Sequence, residues 1–496
     1  MKKLCLVLGL AALTHRVAAQ TTPAAYDSTA RFPVMQLRAD LAYVRHALEE
    51  AHPSLYWYTP KDSLDRAFAR AEAALTHSMA EPAYWRLLQA LVVQVRCGHT
   101  RVRHSAAYRA WFRQQPHPYL PFLVAVRDNR LFVTENQSMA TLPAGTELLA
   151  IDGHPTAELL PRLRSLISGD GYGTQFKDKE LEAGFFDEYY WNFYPARATY
   201  PLLVADSAGR QQLLTPQPRP ATPRPPAVAL TPAQQHTRDL ERLRVVLYPA
   251  HLPHMAVLRI REFSYDELED YRKFHRQLFA ELRERRVRRL VLDLRGNGGG
   301  NLEIATDLLK YLLRKDFVLS ASARAKVQMP SFAQPDSTKP AYFKAASVRT
   351  LADGSLEFAN YDIGVQHPYR GRYFRGRLVV LVDGGTFSAA SNTAASLRAQ
   401  RRTVVLGQES GGGEAGCSGG TISELELPHT HLVLNLPHFR MLTACAHPQP
   451  GRGVQPDVVV VPTPQQTAAH ADAILPQLPA LLRRVRKEVS RLVPKQ

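Results

Sequence analysis

The sequence predicts an α/β protein, and three stretches that differ in hydrophobic period support this fold class. Residues 32–105 place apolar side chains three and four positions apart, which is typical of amphipathic helices. Between residues 119 and 214 the period shortens to two, which indicates strands. From residue 254 to residue 436 predicted strands and helices alternate, as they do in layered α/β folds.

The N-terminus has the order of a secretory signal peptide, which we predict to span residues 1–19. Lys2 and Lys3 precede an apolar run, and small residues follow it up to Ala19. The run is too short to cross a bilayer, and no later stretch is long and apolar enough to do so. We therefore expect a periplasmic or secreted chain without a transmembrane segment.

Composition changes along the chain predict five regions after the signal peptide. They are an N-terminal helical domain (30–115), a β-rich module (117–215), a proline-rich linker (216–230), a core (231–464) and a C-terminal helix (465–496). The linker reads PQPRPATPRPP at its start, a composition that forms stiff extended chain. In the β-rich module, the segment 142–153 resembles the PDZ module, whose sheet edge captures peptide ends by strand addition.

The formal net charge of +17 raises the question of a nucleic-acid partner. The arginines, however, are spread along predicted helices without interleaved aromatic residues, so a solvated basic surface explains the charge better. We expect no nucleic-acid partner. Cys97, Cys417 and Cys445 remain after the signal peptide, and Cys417 with Cys445 is the candidate disulfide pair.

The segment 384–391, GGTFSAAS, is the main candidate for chemistry. It follows the apolar run 378–382 and precedes a helical pattern, so Ser388 is predicted to lie at a strand-to-helix turn. The first amide groups of a helix have no intrahelical partner and can hold a developing oxyanion. A simple helix cap is the alternative interpretation of the same segment.

A nucleophilic serine needs a base, and the sequence narrows the choice to histidine. The only lysines after Ser388 are Lys487 and Lys495, both in the terminal helix, which excludes a lysine from the following loop. His99 is the best candidate because helical periodicity stops there, beside Gly98.

Three other histidines, His429, His431 and His438, are rivals for the role of the base. His429 and His431 alternate on one predicted strand face, a spacing that a metal pair could use, but no carboxylate or cysteine accompanies them. We expect no metal and no cofactor.

The glycine-rich segment 293–300, DLRGNGGG, follows a predicted buried strand and is the second chemical element. Backbone amides in such a loop can bind an anion. A phosphate cradle is one interpretation, but the Gly-Lys-Ser/Thr ending is missing and the spacing does not fit a dinucleotide fingerprint. A contribution to an oxyanion hole is the interpretation we favour.

Taken together, these motifs resemble the tail-specific, or C-terminal processing, serine peptidases. The resemblance rests on DLRGNGGG, GGTFSAAS, the segment 405–413 reading VLGQESGGG and the segment 451–457 reading GRGVQPD. The segments 51–56 and 98–101 are similar to the branch that includes the tricorn protease core and the interphotoreceptor retinoid-binding protein, a branch common among exported proteins of Bacteroidetes-type bacteria. The similarity extends over residues 32–462.

The resemblance implies a serine endopeptidase with a crotonase and Clp-protease-like core, acting on polypeptides through an acyl-enzyme. It implies Ser388 as nucleophile, His99 as general base, and an oxyanion hole formed by the amides of Ala389 and of Gly298 or Gly299. The PDZ-like module would present peptide carboxyl ends.

This chain departs from the family pattern at two places. Cys97 and Gly98 precede the histidine where the branch often has Asp-Gly, and Ser391 stands where a glutamate often follows the serine. Glu409 and Glu414 are the candidates for the acid that orients His99. A peptidase-fold protein that binds peptide C-termini or lipophilic ligands without cleaving them is the alternative function.

Overall fold

The computed structural model describes residues 26–136, 142–217, 244–250, 252, 254–263, 268–328, 330–332, 348–358, 363–399, 403–445 and 447–492. Its helices are α1 (Val34–Ala51), α2 (Lys61–Ala73), α3 (Glu81–Val92), α4 (Ala106–Phe112), α5 (Thr156–Arg164), α6 (Gln175–Glu180), α7 (Phe186–Trp191), α8 (Leu268–Glu284), α9 (Leu302–Leu312), α10 (Ala389–Arg398), α11 (Pro464–Ala468) and α12 (Leu478–Leu492).

The strands fall into three sheets. They are β1 (Arg101–Arg103), β2 (Phe122–Arg127), β3 (Arg130–Asn136), β4 (Glu147–Ile151), β5 (His154–Pro155), β6 (Leu202–Ala205), β7 (Gln211–Leu214), β8 (Arg244–Leu247), β9 (Met255–Ile260), β10 (Arg289–Asp293), β11 (Ser322–Ala325), β12 (Val348–Thr350), β13 (Leu356–Phe358), β14 (Arg377–Val382), β15 (Thr403–Gly407), β16 (Gly416–Glu426), β17 (Val433–Leu442) and β18 (Val458–Val459). The predicted α/β fold class is confirmed, with a helical N-terminal region and a β-rich module beside the core.

The central sheet has the order β18-β15-β14-β10-β9-β8 and is parallel from β18 to β9. The side chains of β10 and β14 are almost all buried, as expected for strands covered on both faces. Helices α8, α9 and α10 contribute to the apolar core on one face, and α12 packs on the other. Because β10 and β14 are parallel neighbours, the two segments that follow them emerge at the same edge of the sheet.

The N-terminal helices connect directly to a second sheet of the core. Strand β1 leaves the helical region after α3 and pairs with β17, with Val102 opposite Leu434. The Trp85 indole N–H donates to the Val102 carbonyl over 2.8 Å, and the Val102 amide donates to the Gln89 side chain over 2.7 Å. These contacts fix the turn that precedes β1 against the core.

The β-rich module forms a six-stranded sheet in which β2 and β3 are joined by a tight turn. Asp128 and Asn129 have φ values of 51° and 58°, as a two-residue hairpin turn requires. Arg127 donates to the Pro462 carbonyl over 2.8 Å, which joins the module to the segment before α11.

Several expectations need correction or lie outside the described residues. Cys417 and Cys445 are both free thiols, so the candidate disulfide is wrong. The C-terminal stretch forms α11 and α12 instead of one helix, and His470, with φ of 49°, interrupts it. The signal peptide and residues 218–230 of the linker lie outside the described residues. Among the described helices, none has the length and apolar character needed to cross a membrane.

Candidate active site

Ser388 lies at a strained turn between β14 and α10, where the sequence predicted a strand-to-helix turn. Its backbone has φ of 49° and ψ of −126°, a conformation that side-chain-bearing residues adopt at a cost of about 1–3 kcal/mol. Ser388 is the N-cap residue of α10, yet its side chain makes no capping hydrogen bond. The simple-cap interpretation therefore does not explain this serine.

Hydrogen bonds from Asp383 and Thr386 hold the turn in place. The Asp383 carboxylate accepts from the amides of Gly296 and Gly385 over 2.8 and 3.0 Å. The Thr386 hydroxyl donates to the Leu294 carbonyl over 2.8 Å. These bonds join the turn to the glycine-rich loop that follows β10. Contacts on both sides therefore hold Ser388 in its strained conformation.

The glycine-rich loop lies directly against Ser388. Gly299 has φ of 106°, and a Cβ at this position would lie 2.7 Å from the Cβ of Ser388 and 3.0 Å from the Ala389 nitrogen. The Phe387 amide donates to the Asn297 carbonyl over 2.9 Å. Only glycine fits at position 299, because a side chain there would displace the serine.

Two amides beside Ser388 have no hydrogen-bond partner among the described residues, those of Ala389 and Gly298. Ala389 is the first residue of α10, where an unpaired amide is normal. The Gly299 amide, by contrast, donates to the Asn297 side chain over 2.8 Å. Of the predicted alternatives for the second oxyanion donor, Gly298 is therefore available and Gly299 is engaged.

His99 lies in the turn before β1 and beside the serine turn. Its ring centroid is 5.0 Å from that of Phe387, the residue that precedes Ser388. A Cβ on Gly98 would lie 2.4 Å from the Phe387 ring, so the close approach requires glycine. His52 and Thr100 anchor the turn through a 2.8 Å side-chain hydrogen bond.

The surroundings of the His99 imidazole favour its neutral form. Burial, with a smaller effect of the Arg101 cation, lowers the pKa of His99 to about 4. Its Nδ1 atom is buried and has no hydrogen-bond partner among the described residues. The Cε1–Nε2 edge of the ring lies against Gly419, since a Cβ on Gly419 would lie 3.6 Å from His99 Cε1 and 3.7 Å from His99 Nε2.

Cys417 is a neighbour of both candidate groups that the sequence did not identify. Burial, with the Asp170 carboxylate as a lesser cause, raises the pKa of Cys417, while a side-chain hydrogen bond with Ser388 acts in the opposite direction. The thiol is thus neutral and lies within reach of the Ser388 hydroxyl. Ser388 and His99 therefore border the same space on β16.

Asp170 is the carboxylate beside His99, and sequence reasoning missed it. An Asp170 oxygen, a His99 nitrogen and the Cys97 sulfur all lie within 4.8 Å of one another. Asp170 accepts from the Gly98 amide over 2.8 Å and from the Gly413 amide over 3.4 Å. Burial raises the pKa of Asp170 to about 6, so the group is mainly ionised at neutral pH.

The two predicted acids, Glu409 and Glu414, have other partners. Glu409 forms a two-point ion pair with Arg452 and accepts from the Gly453 amide over 2.8 Å. Glu414 pairs with Arg398. The only sequence signal for Asp170 instead is the run Gly169-Asp170-Gly171, which resembles any polar turn.

The rival histidines lie elsewhere. His431 has φ of 56° and contacts Glu426, and His438 shares a 2.7 Å hydrogen bond with Ser423. Neither they nor His429 belong to a metal-ligand cluster among the described residues, where the one such group comprises Cys97, His99 and Asp170. A neutral imidazole, a strained serine and two unpaired amides form a set suited to acyl transfer.

Comparison with known proteins gives one family match, which falls within the core. Residues 254–460 match the model of Peptidase family S41. The solved structure of mature CPAF complexed with lactacystin is 14% identical, with a TM-score of 0.62, and the match covers 92% of this chain and 99% of that one. This likeness supports the overall fold.

Two further solved structures match over most of the chain. The photosystem II D1 C-terminal processing protease is 14% identical, with a TM-score of 0.40, and the match covers 86% of this chain and 92% of that one. The tricorn protease is 12% identical, with a TM-score of 0.34 over 91% of this chain and 37% of that one. No curated protein sequence matches the chain significantly.

Proposed function

We propose that this chain is an exported serine endopeptidase with Ser388 as nucleophile, and the match of residues 254–460 to the model of Peptidase family S41 supports this proposal. The observation that carries the proposal is the strained conformation of Ser388, with φ of 49°, between two unpaired amides. Strain at one side chain is retained where the surrounding contacts hold the residue for a task.

His99 is the proposed general base. In the acylation step its Nε2 accepts the proton of the Ser388 hydroxyl while the oxygen attacks the carbonyl carbon of the scissile peptide bond. The amides of Ala389 and Gly298 would donate to the oxyanion that forms. The proton then passes from His99 to the leaving amine, and a water molecule hydrolyses the acyl-enzyme by the same route.

Asp170 replaces Glu409 and Glu414 as our candidate for the orienting acid. The support is its position within 4.8 Å of a His99 nitrogen, together with the arginine partners of both glutamates. An ionised Asp170 would stabilise the imidazolium formed during catalysis. Its amide bonds to Gly98 and Gly413 would hold it in place across the boundary between the helical region and the core.

Polypeptides are the substrate class that the family implies, and capture of peptide carboxyl ends by the β-rich module is part of the proposal. Support for the module's role comes from its sequence similarity to PDZ modules around residues 142–153. Export is proposed from the order of residues 1–19 alone.

A fluorophosphonate probe tests the nucleophile directly. We expect one adduct, mapped by peptide mass spectrometry to Ser388, and none in Ser388→Ala. Ser396→Ala is the matched control, since Ser396 lies on the same helix α10 and away from the turn. Labelling that persists in Ser388→Ala would contradict the assignment.

Binding without cleavage is the second candidate function, and the unpartnered His99 Nδ1 favours it. A histidine without a hydrogen-bonded acid is a weaker base than one with such a partner. Purified protein should be incubated with an unfolded casein-like substrate and with a peptide that has a free carboxyl terminus. Peptide binding together with intact substrates and no probe adduct would favour the binding function over the peptidase.

A further inference from the structure

The cluster that includes the proposed base, His99, has the ligand atoms of a metal site. We propose that Cys97, His99 and Asp170 bind Zn²⁺ and that this ion inhibits the enzyme. Their donor atoms, one sulfur, one imidazole nitrogen and one carboxylate oxygen, lie within 4.8 Å of one another. Thiolate, imidazole and carboxylate are the three protein ligand types that Zn²⁺ uses.

Unpaired polar atoms around this cluster are the second observation. His99 Nδ1, the Ser54 hydroxyl and the Tyr58 hydroxyl are buried and have no hydrogen-bond partner among the described residues. Ser54 and Tyr58 line a cavity of about 10 Å³ together with Cys97, Asp170 and Cys417. Buried polar atoms without partners are rare in folded proteins, and a bound ion or a water molecule is the usual explanation.

The hydrogen bonds within the cluster leave lone pairs on its ligand atoms available to a metal ion. The Cys97 sulfur contacts the Ser418 carbonyl at 3.9 Å and has hydrogen bonds with the Thr100 side chain and with the amides of His99 and Thr100, all of which a thiolate could keep as an acceptor. The second Asp170 oxygen accepts a single long bond of 3.4 Å from Gly413. Tetrahedral zinc places its N, O and S donors about 3.4–3.6 Å apart, so the three groups need to close by at most about 1.4 Å.

Charge balance also fits a divalent cation. Binding releases the Cys97 thiol proton to solvent, so a thiolate, an ionised Asp170 and a neutral His99 neutralise the two positive charges of Zn²⁺. A buried site without net charge avoids the desolvation penalty of an isolated ion.

Inhibition follows from the tautomer of His99, and this step alone rests on the proposed function. A metal on Nδ1 leaves the ring proton on Nε2, the nitrogen on the ring edge that lies against Gly419. Nε2 can then no longer accept the Ser388 proton. The ion would also withdraw Asp170 from its role beside the imidazole.

Metal binding by the purified mature chain tests the site without any need for activity. We expect Zn²⁺ to bind one to one by titration calorimetry, and Co²⁺ to give a thiolate-to-metal absorption band. Cys97→Ser should abolish the band and weaken Zn²⁺ at least about 10-fold, whereas Cys445→Ser, which changes a thiol outside the cluster, should leave both unchanged. Asp170→Asn is the second variant should Cys97→Ser fold poorly, and it should weaken Zn²⁺ similarly.

Probe labelling tests the inhibition. Zn²⁺ should suppress fluorophosphonate labelling of the parent chain and EDTA should restore it, while labelling of Cys97→Ser should resist Zn²⁺. Absence of the Co²⁺–thiolate band, or Zn²⁺ affinity unchanged in both variants, would overturn the site, and a water molecule would then explain the cavity. If metal binds as expected but no chain is ever labelled, the proposed peptidase function fails and the metal site stands.

Discussion

The two sides of the candidate active site are built in different ways. The serine side, defined as residues 383–388 and 294–300, consists of two short loops at the ends of neighbouring parallel strands. The histidine side, defined as residues 97–100 with Asp170, combines a turn of the helical region with a residue from the β-rich module.

The two loops of the serine side are joined by several hydrogen bonds, whereas the imidazole on the histidine side lacks a partner for its Nδ1 atom. Asp383, Thr386 and Asn297 each bridge the two loops of the serine side. On the histidine side His99 Nδ1 has no partner among the described residues. The comparison suggests that the serine side is preorganised and that the histidine side is where activity can be regulated, because its groups can accept a second arrangement.

Replacement of His99 should give the largest loss. Without the base the serine keeps its proton, so His99→Ala should lower kcat/KM by about 10⁴-fold or more in a peptide hydrolysis assay. The matched variant is His431→Asn, which changes an exposed histidine at φ of 56° and should retain activity within about twofold. Equal losses in the two variants would remove His99 from the site.

Gly299→Ala should disrupt the geometry of the serine side. The new Cβ would lie 2.7 Å from that of Ser388 at a φ of 106°, so the loop or the serine must move. We expect kcat to fall about 10²–10³-fold, because a displacement of about 1 Å at the reacting group has effects of this size.

The contrasting variant for the serine side is Gly298→Ala, where a Cβ meets no atom within 4 Å. The kcat of this variant should fall less than about 10-fold, since the backbone amide of residue 298 is retained. Circular dichroism and a thermal melt should show both glycine variants folded. A Gly298→Ala loss as large as that of Gly299→Ala would argue against the close approach as the cause.

The same contrast explains what the sequence could and could not predict. Ser388 and the glycine loops are encoded by contiguous patterns, in which a strand, glycines and a helix follow one another. Asp170 follows His99 by 71 positions and lies beside it only in the folded chain, and nothing in Gly169-Asp170-Gly171 distinguishes this segment from a solvent-exposed turn.

 The Asp170 carboxylate accepts a hydrogen bond from the Gly98 amide, and the two residues are 72 positions apart in the sequence. A contact that forms only in the folded chain leaves no pattern in a local stretch of sequence. Glu409 and Glu414 lie in a glycine-rich loop that resembles an active-site segment, yet their arginine partners are 43 and 16 positions away in sequence.

Asp170→Asn should weaken the histidine side without abolishing activity. The amide keeps the shape of the side chain but removes a charge that lies within 4.8 Å of a His99 nitrogen and is not hydrogen-bonded to Nδ1. The loss is then that of a nearby charge, so we expect kcat/KM to fall about 10–10²-fold. Glu414→Gln removes a buried ion pair with Arg398 and should lower the thermal midpoint while the kcat of the folded enzyme changes less. A larger kcat loss in Glu414→Gln than in Asp170→Asn would return the orienting role to the glutamate.

The pH dependence of kcat/KM should show the smallest but most specific effect. His99, with a pKa lowered to about 4, keeps its basic form well below the usual range of histidine, while Asp170, with a pKa raised to about 6, loses its charge first as the pH falls. We therefore expect kcat/KM to decline in two steps, a shallow one near pH 6 and a steep one near pH 4. Asp170→Asn should retain only the steep step, because it has no carboxyl group to titrate. A single step near the ordinary histidine pKa of about 6.5 in the parent chain would mean that the imidazole is solvated, and the buried histidine side would then not be the working conformation.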